Sequence, residues 1–143
     1  KNGIIYTYDS VIKDRLVSYN GIQIEYNTFN PLNPTSYGND TFSYDGRKLV
    51  EAHRGNKVIH YEYNEEGLIT SKTVSVNGQT YDYRYFYLDK KLITEISPNQ
   101  RTDFIYDENG EIFGFIKDRT IKYFYIKDQL NNILGLVNSF SVL

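Results

Sequence analysis

The sequence predicts an all-β fold, an antiparallel array of β-hairpin repeats that forms a curled or spiral sheet. Three observations carry that expectation. An aromatic-x-Tyr step recurs seven times: Tyr6-Thr7-Tyr8, Ile24-Glu25-Tyr26, Phe42-Ser43-Tyr44, Tyr61-Glu62-Tyr63, Tyr85-Phe86-Tyr87, Phe104-Ile105-Tyr106 and Tyr123-Phe124-Tyr125, with Ile24 the one non-aromatic lead. The final tyrosines lie 18, 18, 19, 24, 19 and 19 residues apart, and so regular a spacing marks a repeat array. Around each step apolar and polar residues alternate, and after each tyrosine comes turn chemistry.

The leading strand of each repeat is justified by its period. Positions two before the tyrosine are Tyr6, Ile24, Phe42, Tyr61, Tyr85, Phe104 and Tyr123, all large and apolar or aromatic. Positions four before are Ile4, Ile22, Asp40, Ile59, Tyr83, Thr102 and Ile121, mostly apolar. The residues between are mostly polar, among them Thr7, Gln23, Glu25, Ser43, Glu62, Asp82, Arg84 and Lys122. A period of two is that of a half-buried strand. Tyr81, Tyr83, Tyr85 and Tyr87 then share one face, and Arg84 points to the other.

The turn that follows is read from Asp45-Gly46, Asn64-Glu65-Glu66-Gly67 and Asp107-Glu108-Asn109-Gly110. Asp or Asn bonds its own downstream backbone, and Gly accepts the positive φ that closes a hairpin. A second strand starts at Leu49-Val50, Leu68-Ile69, Leu92-Ile93 or Ile112-Phe113. It ends at a further tight turn such as Asn20-Gly21, Gly55-Asn56, Asn77-Gly78, Pro98-Asn99 or Asp118-Arg119.

Two stretches break the rhythm. Asn30-Pro31-Leu32-Asn33-Pro34 reads as a loop or edge excursion, because proline cannot donate to a ladder. The 24-residue interval predicts a longer hairpin around Asn77-Gly78. At the C-terminal end Leu130, Ile133, Leu134 and Val137 fall at helical spacing. Asn131-Asn132 and Gly135 weigh against a helix and favour a turn followed by a strand.

At 143 residues one domain, residues 1–143, is expected. The chain begins at Lys1 without Met and reads as excised from a longer protein. The 16 basic and 18 acidic residues form no basic stripe, so no nucleic-acid partner is expected. No apolar run is long enough for membrane insertion as a helix. Zero cysteines exclude disulfides, thiol catalysis and cysteine-ligated metals. His53 and His60 flank the turn at Gly55-Asn56, and two histidines without a third ligand make a weak metal site. Asp107, Asn109 and Glu111 resemble the start of a calcium loop but fall short of the six or so oxygens required. Ser36, Ser43 and Ser71 lack a nucleophile-elbow context. Glu65-Glu66 sits in a predicted turn, and nothing is glycine-rich enough to cradle phosphate. No catalytic, cofactor-binding or metal residue is assigned.

Tyr-x-Tyr-Asp followed by Gly and Leu resembles the YD repeat of the Rhs family. Similar segments follow in order: Asn33-Pro34-Thr35-Ser36-Tyr37, Phe42-Ser43-Tyr44-Asp45-Gly46-Arg47-Lys48-Leu49, Tyr63-Asn64-Glu65-Glu66-Gly67-Leu68-Ile69-Thr70-Ser71-Lys72-Thr73-Val74, Phe104-Ile105-Tyr106-Asp107-Glu108-Asn109-Gly110, and Tyr123-Phe124-Tyr125-Ile126-Lys127-Asp128 leading to Ile133-Leu134-Gly135-Leu136-Val137. The Asp is Asn27 and Asn64 in two units and is displaced to Asp89 and Asp128 in two others. The chain looks most like the large cell-wall-associated Rhs proteins of Gram-positive bacteria. The resemblance implies a β-ribbon that spirals into a hollow shell, which in toxins encloses a C-terminal effector. Nothing here matches the family's self-cleavage motif, so no catalytic position is carried over.

The expected function is therefore a non-catalytic structural repeat module, part of an Rhs-type shell or surface stalk, extracellular or cell-wall associated. Its expected partners are adjacent repeats of the parent chain and, through raw sheet edges, other copies. The alternative is a carbohydrate- or cell-surface-binding module whose exposed aromatics hold glycans. A hydrolase is the weakest of the three. Exposure of the tyrosines separates the first two readings, because packed rings serve a wall and three or more exposed rings on one face serve sugar binding.

Overall fold

The structure, a computed structural model, describes residues 3–139. Fourteen strands follow one another: β1 (Tyr6–Tyr8), β2 (Leu16–Tyr19), β3 (Ile22–Tyr26), β4 (Pro34–Tyr37), β5 (Asp40–Asp45), β6 (Lys48–Arg54), β7 (Lys57–Tyr63), β8 (Ile69–Val76), β9 (Gln79–Leu88), β10 (Lys91–Ser97), β11 (Gln100–Tyr106), β12 (Ile112–Lys117), β13 (Ile121–Lys127) and β14 (Ile133–Asn138). They form an antiparallel sheet whose strand order is the chain order, and the described residues hold no helix. The expected all-β hairpin array is therefore what the chain adopts. The chain divides into two compact units, Lys1–Glu62 with Lys72–Thr80 and Tyr63–Ser71 with Tyr81–Leu143.

Every tight turn expected between hairpins connects two strands. Asn20–Gly21 and Asn77–Gly78 have positive φ at both central residues, at 48° and 80° and at 51° and 75°. Primed turns require this conformation, and their twist matches that of the flanking strands. Asn77–Gly78 closes the longest hairpin, β8 with β9, where the 24-residue interval placed it. Pro34 is the first residue of β4, where its missing N–H removes no ladder bond, so the loop expected over 30–34 ends one residue earlier. The C-terminal stretch is a turn and then β14.

One feature of the register was not anticipated. Six leading strands meet the following strand with one unmatched residue at or just past the aromatic-x-Tyr step. Thr7 pairs with Ser18 but Tyr8 with Leu16, which strands Val17. The same slip leaves out Thr35, Val50, Ile93 and Phe113, and in β13·β14 it falls two residues later, past the step, and leaves out Leu134. Each is a β-bulge, which bends the strand and increases its local twist.

The sheet carries an aromatic face and an opposite face. In the first unit Phe42, Ala52 and Ile59 are cross-strand neighbours on the aromatic face, and Ser43, Glu51 and His60 on the other. In the second unit Phe104, Phe115 and Tyr123 align on the aromatic face, and Ile105, Gly114, Phe124 and Val137 on the other. Along β9, Tyr81, Tyr83, Tyr85 and Tyr87 are half-buried, while Asp82, Arg84, Phe86 and Leu88 are exposed. Among the described residues no hydrophobic side chain is fully buried; the buried polar side chains are Ser18, Asn33, Thr94 and Thr102. A single sheet layer explains both facts. Large side chains standing off a sheet stay wetted on one flank, whereas Ser18, Thr94 and Thr102 are short enough to lie between their cross-strand neighbours.

Candidate functional site

The repeated aromatic-x-Tyr step is the most elaborate device in the molecule, and its polar groups bond to the sheet itself. Tyr26 Oη donates to the carbonyl of Leu16 at 2.6 Å. Tyr87 and Tyr106 donate to the carbonyls of Ile69 and Leu92, both at 2.8 Å. Each hydroxyl thus reaches the start of the preceding strand and satisfies a main-chain acceptor there. Burial, and then neighbouring Tyr85, push the Tyr87 phenol above its ordinary pKa.

The Asp or Asn beside or soon after the tyrosine then opens the turn. Asp9 Oδ1 accepts from the amides of Val11 and Ile12 at 2.7 and 2.9 Å. Asn27 does the same for Phe29 and Asn30, and Asn64 for Leu68. Asp107 accepts from Asn109 and Glu111, and Asp128 from Leu130 and Asn132. The Asn replacements therefore keep the turn, because only the side-chain carbonyl oxygen is used. Asp107 is occupied as a turn cap, which is the turn reading of the calcium-like Asp107-Asn109-Glu111 pattern.

Arg15 ties two turns of the first unit together. Its Nη2 pairs with Asp9, its Nη1 donates to the carbonyl of Pro31 at 3.2 Å, and its guanidinium lies 4.9 Å from the Tyr26 ring centroid. The hydrogen bond from Arg15, followed by those from Ile12 and Val11, lowers the Asp9 pKa to about 2. In the second unit Arg101 grips Asp103 through Nε and Nη2, and Thr94 Oγ1 adds a bond at 2.7 Å. The Arg101 hydrogen bond, opposed by desolvation, holds the Asp103 carboxyl below its ordinary value.

Several aromatic rings pack on one another. Phe115 stacks on Tyr123 at 4.9 Å and an interplanar angle of 16°, and Tyr6 meets Tyr19 edge-on at 5.3 Å. Of the seven closing tyrosines, six are half-buried and Tyr8 is exposed. Tyr6 is exposed beside it, so β1 presents two open rings on one face.

The structure brings the two histidines together around one carboxylate. His53 Nε2 lies 2.7 Å from Glu51 Oε1, and His60 Nδ1 lies 4.0 Å from Glu51 Oε2. The register accounts for this, since Glu51 is opposite His60 and two residues from His53. The trio is partly exposed on an open strand face, and no group of three His, Cys, Asp or Glu among the described residues is arranged to hold a metal ion. Ser43 stands opposite Glu51 in β5, Ser36 lies in β4 and Ser71 in β8. Glu65 and Glu66 are exposed in their turn, with Glu66 3.9 Å from Lys90.

Shallow depressions also mark the surface formed by the described residues. One of about 220 Å³ has a floor of Phe42, Ala52 and Ile59 and a rim of Asp40, Arg54 and Lys57. Arg54 Nε donates to Asp40 Oδ2 at 2.8 Å, and this bond lowers the Asp40 pKa. Another, about 250 Å³, lies among Phe86, Ile93, Ile96 and Arg101. Sequence reasoning missed this second surface, although its signal was present: the middle residue of the step changes from polar in the first four copies to Phe86, Ile105 and Phe124 in the last three.

A scan against protein-family models and a search of curated proteins each returned no match to the chain.

Proposed function

We propose that the chain is a non-catalytic structural repeat module, a stretch of Rhs-type β-wall in a secreted or cell-wall-associated bacterial protein. One observation carries this reading. The strongest polar groups of the repeat, the tyrosine hydroxyls and the turn carboxylates and amides, bond to the sheet's own backbone in successive copies. Groups occupied in that way hold hairpins in line and leave little for a substrate. In this reading the wall adjoins further repeats of a longer chain, and a toxin at that chain's C-terminal end would be what it encloses. It binds no nucleic acid and no cofactor.

Antibodies raised against the chain test the placement. They label the surface of intact producing cells if the reading holds, and exclusively cytoplasmic labelling overturns it. A second reading, glycan binding, draws on the exposed Tyr6 and Tyr8 rings of β1, one fewer than the three that would favour it over a wall. Glycan-array binding that Tyr6→Ala and Tyr8→Ala together abolish would establish it in place of a purely structural role.

A further inference from the structure

We propose that Asn20 is a site of spontaneous covalent modification, its side chain cyclising onto the main-chain nitrogen of Gly21 and then opening to aspartate and isoaspartate. The fold singles it out among residues that the sequence makes equal.

Asn-Gly occurs four times, at Asn2, Asn20, Asn77 and Asn109. Asn2 lies outside the described residues. The chemistry is the same at each site. The glycine nitrogen gives up its proton and attacks the Asn Cγ. A C–N bond forms, the bond from Cγ to Nδ2 breaks, and ammonia leaves with the proton, which closes a five-membered imide. Water then breaks one of the two ring C–N bonds. Breaking the bond to Cγ leaves aspartate; breaking the bond to the main-chain carbonyl carbon leaves isoaspartate, whose chain runs through Cβ and Cγ. The step needs only water. It is limited by whether the glycine nitrogen is free, whether the Asn amide is free, and whether the peptide between them can rotate.

The three described sites differ in all three respects. At Asn109 the attacking nitrogen is already engaged: the Gly110 N–H donates to the Asp107 carbonyl at 3.0 Å, and the Asn109 N–H donates to Asp107 Oδ1 at 2.9 Å. At Asn77 the side chain is held, because its Oδ1 accepts from Asn56 Nδ2, and the turn closes the longest hairpin, β8 of 8 residues with β9 of 10. At Asn20 neither restraint is present. The Gly21 N–H and the Asn20 side chain bond to nothing among the described residues, and both residues are exposed. The β2·β3 hairpin has two matched pairs, Ser18 with Gln23 and Tyr19 with Ile22. The Asn20 N–H donates to the Ile5 carbonyl at 2.8 Å, but that bond fixes the peptide before Asn20 and not the one that must rotate. Ring closure takes the Asn20–Gly21 peptide out of its turn, so it draws on momentary opening of the hairpin tip, which costs least where few rows must part.

The product cannot rebuild the turn. Isoaspartate adds a carbon to the main chain where two positive φ values, 48° and 80°, match the twist of the flanking strands. Tyr19, which meets the rings of Tyr6 and Tyr37, stands beside that turn. The repeat therefore loosens with age first at β2·β3.

Incubating the folded chain at mildly alkaline pH tests this, with peptide mapping by mass spectrometry and methylation of isoaspartate by an isoaspartyl methyltransferase. Asn20 should convert about tenfold faster than Asn109, roughly the cost in population of breaking one backbone hydrogen bond, with Asn77 between them. In urea the three rates should converge. An unmodified Asn20, or an Asn77 or Asn109 that keeps pace with it, overturns the proposal. The same ranking in urea also overturns it, because flanking sequence and not the fold would then set the rates. Asn56→Ala should raise the Asn77 rate several-fold and leave the Asn20 rate unchanged. An unchanged Asn77 rate in that variant overturns the ordering of the two hairpin tips by their side-chain restraint.

Discussion

The two units are built from the same hairpin and differ in the face behind it. In the first unit the middle residue of the aromatic-x-Tyr step is Thr7, Glu25, Ser43 or Glu62, so the face opposite the rings is polar. In the second unit it is Phe86, Ile105 or Phe124, so apolar side chains join Arg101 and Asp103 on the opposite face. There Phe124 lies across from Gly114, and the Phe113 ring meets it at 5.3 Å. The turns differ as well. Asp9 to Arg15 and Asn27 to Asn33 close long loops with Val11, Phe29 and Leu32 exposed, whereas Asp107 to Glu111 and Asp128 to Asn132 close short ones. A repeat can therefore keep its ladder and caps while the free face and the loop tips change character. The ladder needs only alternation and turns, and neither depends on what the second face carries.

Gly114 is where the comparison breaks most sharply. A Cβ there would collide with the carbonyl oxygen of Tyr123, which is backbone and cannot step aside. Gly114→Ala should destabilise the chain by about 3 kcal/mol in urea unfolding, the upper range for overpacking. Gly135→Ala occupies the same repeat position, but its nearest neighbour would be Ile126 Cδ1 at 3.8 Å, so it should leave the unfolding midpoint almost unchanged. Equal losses would mean that the second unit's close packing at β12·β13 is not what Gly114 serves.

The middle residue gives the next largest effect. Phe124→Ala should cost about 2 kcal/mol, reduced from full core values because the ring is only half-buried. Glu25→Ala, exposed in the first unit, should stay within about 0.5 kcal/mol. Chemical denaturation of the two variants checks this, and similar costs would erase the distinction between the faces.

Smaller still is the tyrosine hydroxyl. Tyr106→Phe removes the bond to the Leu92 carbonyl and should cost about 1 kcal/mol. Tyr8→Phe, on an exposed ring, should be close to neutral by the same measurement.

The least effect is electrostatic, and it separates the two kinds of turn. Asp9 has its folded pKa lowered to about 2 by Arg15, so its stabilisation is complete above the ordinary carboxylate range. It is lost as pH falls from about 4 towards 2. Asp9→Asn keeps the acceptor for Val11 and Ile12 but loses the Arg15 pair, so thermal melts should show a shallower acid slope. Added salt should flatten the parent's slope as well. Asp128 is held low by the Asn132 side chain and amide, with no cation involved, and its contribution should be far less sensitive to salt.

Much of the hairpin array is legible because its causes are local. Asn20-Gly21 and Asn77-Gly78 are read as turns from two residues, and Asn27 and Asn64 are interchangeable with Asp because one carbonyl oxygen does the bonding. The bulges were harder to see. Leu49-Val50-Glu51, Leu92-Ile93-Thr94 and Ile112-Phe113-Gly114 share two apolar residues and then a third that pairs past the bulge, but an unmatched residue shows only against its partner strand. The His53–Glu51–His60 grouping was half legible, since the turn at Gly55–Asn56 brings the histidines near one another and only the register sets Glu51 between them.

By itself, then, the sequence determined that the chain alternates, where it turns and which residues cap the turns, because those depend on neighbours within a few residues. Only the tertiary structure decided which side chains stay wetted, where the ladder slips and which residues face each other. Those depend on register, which is set between strands and not within them.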